Sequence, residues 1–157
     1  MAPNEPDFFM TPPPFVISIQ SQVVFGHVGN SAALFPMQAA GLEVAAIPTV
    51  IFSNTPDYPT LRGRALDPDL FADLLLGAQE RGLPQRADYI LTGYIGSVEV
   101  ARKAAELGAD VAGTQVANRV AYAETLGRGL GVAERARNGV ARDEMAALTD
   151  EVLAAFG

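Results

Sequence analysis

The stretch that decides the fold is SIQSQVVFGHVGNSAALFPMQAAGLEVAAIPTVIFSN, Ser18 to Asn54. It opens like a buried, β-rich strand and runs into a turn of small and polar residues. Helical spacing follows to about Ala40, where Gly41 is a suitable helix stop, and a second apolar run extends from Leu42 to Phe52. The connection between the two apolar runs is too long for a hairpin, so they are predicted to pair in parallel.

Local signals refine this strand–helix–strand unit. The first strand is predicted over Phe15–Gln20, ending where the turn residues begin. Asn30 or Ser31 can cap the helix through its side-chain oxygen. Pro36 inside the helical pattern predicts a kink or a late helix start, and Pro48 predicts an interruption of the second strand.

The pattern continues with two more helices and one more strand. The clearest helix is capped by Asp67 and closed by Gly82, and a strand follows at Tyr89–Thr92. The next helix is capped by Ser97 and stopped at Gly108. Residues 53–64 read as a loop or a short edge hairpin, because Pro59 disfavours a central strand there.

This alternation predicts an α/β fragment with a short parallel sheet of three strands and covering helices. In such sheets, ligands bind beyond the carboxyl ends of the strands. The loops Ser21–Asn30, Ser53–Tyr58 and Gly93–Ser97 are all expected at that edge. The sequence therefore predicts a small-ligand site there.

Each candidate residue in these loops has two interpretations. His27, the single histidine, is either a ligand contact or a loop histidine that bonds to backbone, and no orienting partner for a general base lies nearby. Gly26, Gly29 and Asn30 form either an anion-binding nest or a plain tight turn. Tyr94 either stacks on a ligand ring or packs within its loop.

The two ends of the chain differ from this α/β segment. Residues 1–14 are expected to form a disordered, proline-rich arm. Residues 98–157 are expected to form a helical tail, whose last helix places Met145, Leu148, Val152 and Phe156 on one face. The segment GRGLG, residues 127–131, follows a helix and is interpreted as a helix stop rather than a phosphate loop.

Composition narrows the functional classes. The 157 residues carry a formal net charge of −7, which argues against a nucleic-acid surface. Cysteine is absent, which excludes thiolate chemistry and favours a reducing cytoplasm. No apolar run approaches the roughly 18 to 20 residues of a membrane helix, and no metal site is expected.

Three segments carry a family resemblance: SQVVFGHVGNSAALFPMQ, PTVIFSN and ILTGYIGS. From about residue 15 to residue 97, the chain resembles the N-terminal half of pyridoxal kinases of the ribokinase-like superfamily. The resemblance implies a Rossmann-like three-layer α/β sheet that binds pyridoxal, pyridoxine or pyridoxamine. It also implies transfer of the γ-phosphoryl group of ATP, with Mg²⁺, to the 5′-hydroxyl of this vitamin B6 vitamer.

The resemblance assigns site residues one by one. Ser21 matches a serine that hydrogen-bonds the pyridine ring, and Tyr94 matches a tyrosine at the pocket wall. Val28, Val50 and Phe52 match residues that pack on the ring. The implied substrate-binding set is therefore Ser21, Val28, Val50, Phe52 and Tyr94, with His27, Asn30 and Thr55 as possible loop contacts.

Two departures from the family pattern leave activity open. The family often has FSNHT where this chain has FSNTP, so Thr55 and Pro56 replace a histidine and a threonine near the ligand. The family's catalytic aspartate lies in a G-x-G-D segment that the printed sequence lacks. The catalytic residue is therefore unassigned, and most of the site for ATP and Mg²⁺ is expected to lie outside this chain.

From about residue 102 onward, the chain resembles instead the C-terminal end of a ParA-class partition ATPase, without a Walker lysine; Lys103 is the sole lysine. A natural fusion, a truncated reading frame and a chimera would all give this pattern. Three functions stay open: a pyridoxal kinase, a non-catalytic vitamer-binding module and a scaffold. A homodimer is expected, because a three-stranded fragment leaves sheet edges open.

Overall fold

The computed structural model describes residues 12–110, 112–114, 116, 134 and 139–154. The chain forms two compact units, one up to Ala109 and one from Asp110 onward. In chain order, the first unit contains β1 (Phe15–Phe25), α1 (Asn30–Ala39), β2 (Glu43–Asn54), β3 (Gly63–Ala65), α2 (Pro68–Glu80), α3 (Leu83–Arg86), β4 (Tyr89–Thr92) and α4 (Val98–Ala105).

The sheet has four strands in the order β3-β2-β1-β4. β1 pairs in parallel with both β2 and β4, as the long helical connections predict. The expectation of three strands is wrong, because β3 adds an antiparallel edge strand beside Val50–Phe52. The short edge hairpin is thus the correct reading of this segment, and Pro59 lies in its loop, outside the strands.

β1 is longer than the sequence suggests. It continues to Phe25, so Ser21 lies within the strand and the following loop shrinks to residues 26–29. Polar residues at 20–22 resemble a turn, but pairing with β2 resumes after a register shift and extends to Phe25 opposite Asn54. Tertiary pairing therefore overrides the local turn signal.

Pro48 does not interrupt β2, contrary to expectation. It pairs with Gln20, and the next pair joins Gln22 to Ile51, so β2 carries an extra residue beside the proline. Such a bulge tolerates proline, because ladder hydrogen bonding is already locally disrupted there.

Helices cover both faces of the sheet, which confirms the three-layer α/β class. Ile17 and Ile19 are fully buried in a core that includes Phe71 of α2 and Val100 of α4. Side chains alternate between the two faces of a strand, so Ser18 points to the opposite face, where it meets Asn30 at the start of α1.

The helix ends follow the predicted caps with one exception. Asp67 accepts a hydrogen bond from the Asp69 N–H at the start of α2, and Ser97 accepts one from the Val100 N–H in α4. The cap predicted for α1 is wrong: Gly29 occupies the cap position without a side-chain hydrogen bond. Pro36 lies inside α1 without ending it, so the late helix start is also wrong.

The second unit contains α5 (Val140–Ala154) among its described residues. Met145, Leu148 and Val152 are half-buried on α5, whereas Phe156 and residues 127–131 lie outside the described residues. The Glu151 carboxylate accepts backbone hydrogen bonds from Gly113, at 2.5 Å, and Thr114, at 2.8 Å. This carboxylate therefore ties the helix to the preceding segment.

The predicted boundaries near residues 14 and 98 stay predictions. Of the arm, residues 12–14 are exposed and without regular structure, and residues 1–11 lie outside the described part of the chain. α4 begins after the predicted boundary, yet its Val100 is part of the core of the first unit. Within the described residues, no helix has the length and apolar character needed to cross a membrane.

Candidate functional site

The candidate site lies at the carboxyl edge of the parallel strands. β1, β2 and β4 end there at Phe25, Asn54 and Thr92, and a loop follows each strand. The shared strand direction therefore brings together the three loops that the sequence singles out.

The β1–α1 loop, residues 26–29, closes directly over Ser21. Gly29 has a φ of +52°, and a Cβ at this position would overlap the Ser21 hydroxyl and carbonyl. Only glycine fits both this backbone conformation and this close approach. Ser21 is 7% exposed beneath Gly29. Val28 beside it is half-buried and His27 is exposed, with no hydrogen bond from His27 to any described residue.

A buried polar network anchors the start of α1 to β1. The Ser18 hydroxyl donates to Asn30 Oδ1 at 2.7 Å, and Asn30 Nδ2 donates to the Gln20 carbonyl at 3.4 Å. Gln20 Nε2 donates to Ser18 Oγ at 2.9 Å, and Ser18 and Asn30 are fully buried. Asn30 thus binds β1 through both its amide oxygen and its amide nitrogen.

Ser31 makes a second anchor one residue later. Its hydroxyl donates to the Val23 carbonyl at 2.8 Å and accepts from the Val23 N–H at 3.1 Å. Gln22 Nε2 also donates to this hydroxyl, at 2.8 Å. Because residues 30 and 31 are both bound to β1, the short loop that carries His27 and Val28 is held at both ends.

The loop after β4 is attached to β2. Thr49 Oγ1 donates to the Tyr94 carbonyl at 2.6 Å, and a Cβ on Gly96 would lie 2.5 Å from Val50 and 3.7 Å from the Tyr94 ring. The structure therefore brings Val50 and Tyr94 together at Gly96. Val50 is 1% exposed beneath this loop, whereas Tyr94 is 61% exposed. Phe52 is half-buried two residues beyond Val50.

The β2–β3 loop packs against the end of β1. Thr55 is buried, and its methyl group lies against Gly26, where a Cβ would overlap it. The rings of Phe25 and Tyr58 lie 5.8 Å apart at 57°. Thr55, predicted as a loop contact, thus ties two loops together, and Pro56 beside it is exposed.

Sequence reasoning missed the residues that support the site. Ser18 and Gln20 anchor α1, and Thr49 and Gly96 hold the Tyr94 loop. One signal was present: Ser18 and Gln20 are polar residues two positions apart in an otherwise apolar strand, which places both on one face.

The chemistry of the site suits a flat, largely apolar ligand. Most of its described side chains are aliphatic, aromatic, hydroxyl or amide groups, and the charged or titratable groups His27 and Asp57 are exposed in the loops. Among the described residues, no group of three or more histidine, aspartate or glutamate side chains could hold a metal ion. The described residues therefore offer no cage of protein ligands for a metal ion, so any Mg²⁺ here would depend on the phosphates of a bound nucleotide.

An apolar groove of about 340 Å³ lies elsewhere, between β2 and helices α2 and α3. Its walls include Ile47, Pro48, Leu74 and Leu83. No charged or hydrogen-bonding side chain lines it, so it lacks the polar groups that would orient a small ligand.

The architecture and the loops at its carboxyl edge define an α/β protein with the fold of pyridoxal kinases. No protein-family model matches the chain. Over 87 residues it is 52% identical to the pyridoxine/pyridoxal/pyridoxamine kinase of Bordetella avium, a match that covers 55% of this chain and 29% of that protein. The resemblance predicted for the N-terminal part is thus confirmed.

Solved structures agree with this match. Pyridoxal kinase from Leishmania donovani, in complex with ADP and pyridoxamine, aligns with a TM-score of 0.57 and 40% identity, covering 59% of this chain and 32% of that one. Pyridoxal kinase from Trypanosoma brucei aligns with a TM-score of 0.58 and 37% identity, covering 62% and 35%. The chain therefore spans about a third of the length of these kinases. The ParA resemblance of the C-terminal part stays a prediction.

Proposed function

We propose that this chain is a pyridoxal-kinase-like protein of vitamin B6 salvage. It binds pyridoxal, pyridoxine or pyridoxamine at the carboxyl edge of its sheet and serves ATP-dependent phosphorylation of the vitamer's 5′-hydroxyl. The observation that carries this proposal is the 52% identity over 87 residues to a kinase named for these three vitamers.

The proposed pocket uses the five residues that the family resemblance assigns. Val28, Phe52 and Tyr94 have accessible surface and supply apolar and aromatic contacts to the ring. Ser21 and Val50 form the floor, beneath Gly29 and Gly96. This placement is supported by two close approaches at the carboxyl edge of the sheet. The Gly29 backbone lies against Ser21, and the Gly96 backbone lies against Val50.

The phosphoryl donor is proposed to be ATP, with Mg²⁺ as its metal. When bound, ATP would supply the γ-phosphoryl group, and Mg²⁺ would neutralise charge on its phosphates. The ADP complex of the Leishmania donovani kinase supports a nucleotide of this kind. The described residues of this chain supply the vitamer pocket, and the catalytic residue stays unassigned.

A titration of the purified full chain with pyridoxal, with and without MgATP, tests the proposal. Heat of binding and formation of pyridoxal phosphate are followed together. We expect saturable pyridoxal binding with and without nucleotide, and product formed with MgATP would show that this chain also carries out phosphoryl transfer. Absence of both would refute the proposal, and binding without product would favour the non-catalytic binding module.

Tyr94→Ala is the variant that tests the placement of the pocket. We expect about a tenfold loss of pyridoxal affinity, because an aromatic contact to the ring is removed. Tyr58→Ala is the matched control, since Tyr58 is also exposed, at 48%, but its ring packs at a tilt of 57° against Phe25 at the end of β1. Equal losses in the two variants would argue against a pocket at Tyr94.

We also propose that the protein is a cytoplasmic homodimer. Among the described strands, β4 has a strand partner on one side only, and Leu91 on it is exposed. An open edge of this kind can pair with another chain. Light scattering should give twice the chain mass of 16.5 kDa. A monomer mass at high concentration would contradict the dimer.

A further inference from the structure

The network around Ser18 fixes the orientation of the Gln20 side-chain amide. The main-chain carbonyl of Gln20 can only accept a hydrogen bond, so Asn30 must turn its Nδ2 toward it, at 3.4 Å. Asn30 Oδ1 is then the atom that faces Ser18, and it accepts from the Ser18 hydroxyl at 2.7 Å.

The direction of the Ser18 hydrogen bond in turn fixes which atom of the Gln20 amide faces Ser18. A serine hydroxyl has a single proton, and Ser18 uses it on Asn30, so it can only accept from Gln20 Nε2, at 2.9 Å. Ser18 and Asn30 are fully buried, and water does not reach them to reverse the order. The Gln20 amide therefore presents Oε1, an acceptor, on its other side.

Oε1 lies at the candidate site. Gln20 precedes Ser21 in β1 and is half-buried, and its side chain lies against Gly93, where a Cβ would come within 2.5 Å of Oε1. Gly93 opens the loop that carries Tyr94, and its N–H is bound to the Ile19 carbonyl, at 3.0 Å. No described residue donates a hydrogen bond to Oε1, which leaves this acceptor available beside Gly93, at the carboxyl edge of the sheet where the Tyr94 loop begins.

We propose that Gln20 Oε1 accepts a hydrogen bond from a hydroxymethyl or aminomethyl substituent of the ligand bound at the carboxyl edge. The inference rests on the proposed function, because B6 vitamers carry such donor substituents around an aromatic ring. Gln20 is thus a specificity-determining residue that favours ligands with a donor at the substituent it faces. An orientation that the buried network has already fixed costs no side-chain reordering when the ligand binds.

The competing role for Gln20 is structural, as a support for Ser18. The two roles differ in what they do to ligand discrimination. If Gln20 only supports Ser18, its substitution weakens binding of every ligand by a similar factor. A lost acceptor weakens binding only of ligands that carry the donor, because a ligand without it makes no bond to lose.

The test is a calorimetric titration of the full chain with pyridoxine and with its 4-deoxy and 5-deoxy analogues. We expect Gln20→Met to weaken pyridoxine binding about tenfold. The analogue that lacks the donor facing Gln20 should bind the unaltered protein about tenfold more weakly than pyridoxine does. Its affinity should be the same for Gln20→Met as for the unaltered protein. Gln20→Glu, which keeps an acceptor oxygen, should retain the preference for pyridoxine over that analogue.

Gln22→Met is the matched control on the same strand, since its amide bonds to Ser31. Any loss in this variant should be equal for all three ligands. Thermal unfolding of each variant verifies that it is folded. A uniform loss in Gln20→Met, or no loss, would overturn the role of Gln20 while vitamer binding stands. If the unaltered chain binds none of the three ligands, the proposed function fails and this inference fails with it.

Discussion

Two glycines shape the site at the scale of single residues. Gly29 and Gly96 have φ values of +52° and +83°, and each lies against a residue assigned to the vitamer pocket, Ser21 and Val50 respectively. A side chain at either position would meet both backbone strain and a steric overlap. The glycine pattern was visible in the sequence, but which side chain each glycine covers depends on the paired strands.

Gly29→Ala should disturb the site more than the fold. The new methyl group overlaps Ser21, so the loop must shift, and we expect pyridoxal affinity to fall at least about tenfold. Gly41→Ala is the control, because Gly41 has a φ of +87° with nothing within 4 Å of its Cβ position. It should lose about 1 to 2 kcal/mol of unfolding free energy through strain alone and keep its affinity. Titration and urea unfolding measure both quantities.

Asn30→Ala should destabilise the first unit. It leaves the buried Ser18 hydroxyl without its acceptor and the Gln20 carbonyl without its side-chain donor, which costs about 1 to 3 kcal/mol. Urea unfolding measures this loss. Gln38→Ala, an exposed position on the same helix, should stay within about 0.5 kcal/mol of the original protein. Equal unfolding free energies for the two variants would show that the network is not stabilising.

At the scale of elements, the sequence predicts those helix ends that depend on hydrogen bonds between neighbouring residues. The caps at Asp67 and Ser97 come from short-range hydrogen bonds, and both are found where the sequence places them. Asn30 and Ser31 have equally good capping chemistry, yet their side chains bond to β1 instead. The hydrogen-bond partners of these side chains are distant in sequence, so the local sequence does not reveal them. Pairing with the distant strand β2 likewise explains why β1 continues past its polar residues.

Removal of either helix cap should have a modest, local cost. Asp67→Ala and Ser97→Ala are each expected to lower the free energy of unfolding by about 1 kcal/mol. Asp73→Ala, on an exposed position within α2, is the control and should have a smaller effect. Chemical denaturation measures all three variants. No difference between cap and control variants would contradict the assigned caps.

The contact between α5 and the preceding segment should depend on pH. Hydrogen bonds from Thr114 and then Gly113 lower the pKa of Glu151 from its ordinary value of 4.5. A lowered folded-state pKa means that the stabilisation is present above about pH 4.5 and is lost as the pH falls through the folded value. Glu151→Gln should remove this part of the pH dependence, as measured by acid unfolding. An unchanged acid-unfolding profile would contradict the contact.

At the scale of the whole molecule, the chain pairs a kinase-like unit with a second compact unit. The first carries the match to kinases of which this chain spans about a third, and the second starts at Asp110. The α/β class and the position of the three loops at the carboxyl edge could be predicted, because hydrophobic periodicity fixes the alternation of strands and helices. The fourth strand was only one of two interpretations of residues 53–64, since three residues, Gly63–Ala65, are too short to carry a pattern that would favour a strand over a loop.

The central claim is that a B6 vitamer binds at the carboxyl edge of the sheet. Backbone amide chemical shifts of the isotope-labelled full chain, followed during titration with pyridoxal, test it most directly. We expect saturable shifts at residues 26–31 and 93–97, with the groove residues Leu74 and Leu83 unaffected. Shifts confined to that groove, or no shifts at saturating pyridoxal, would contradict the claim.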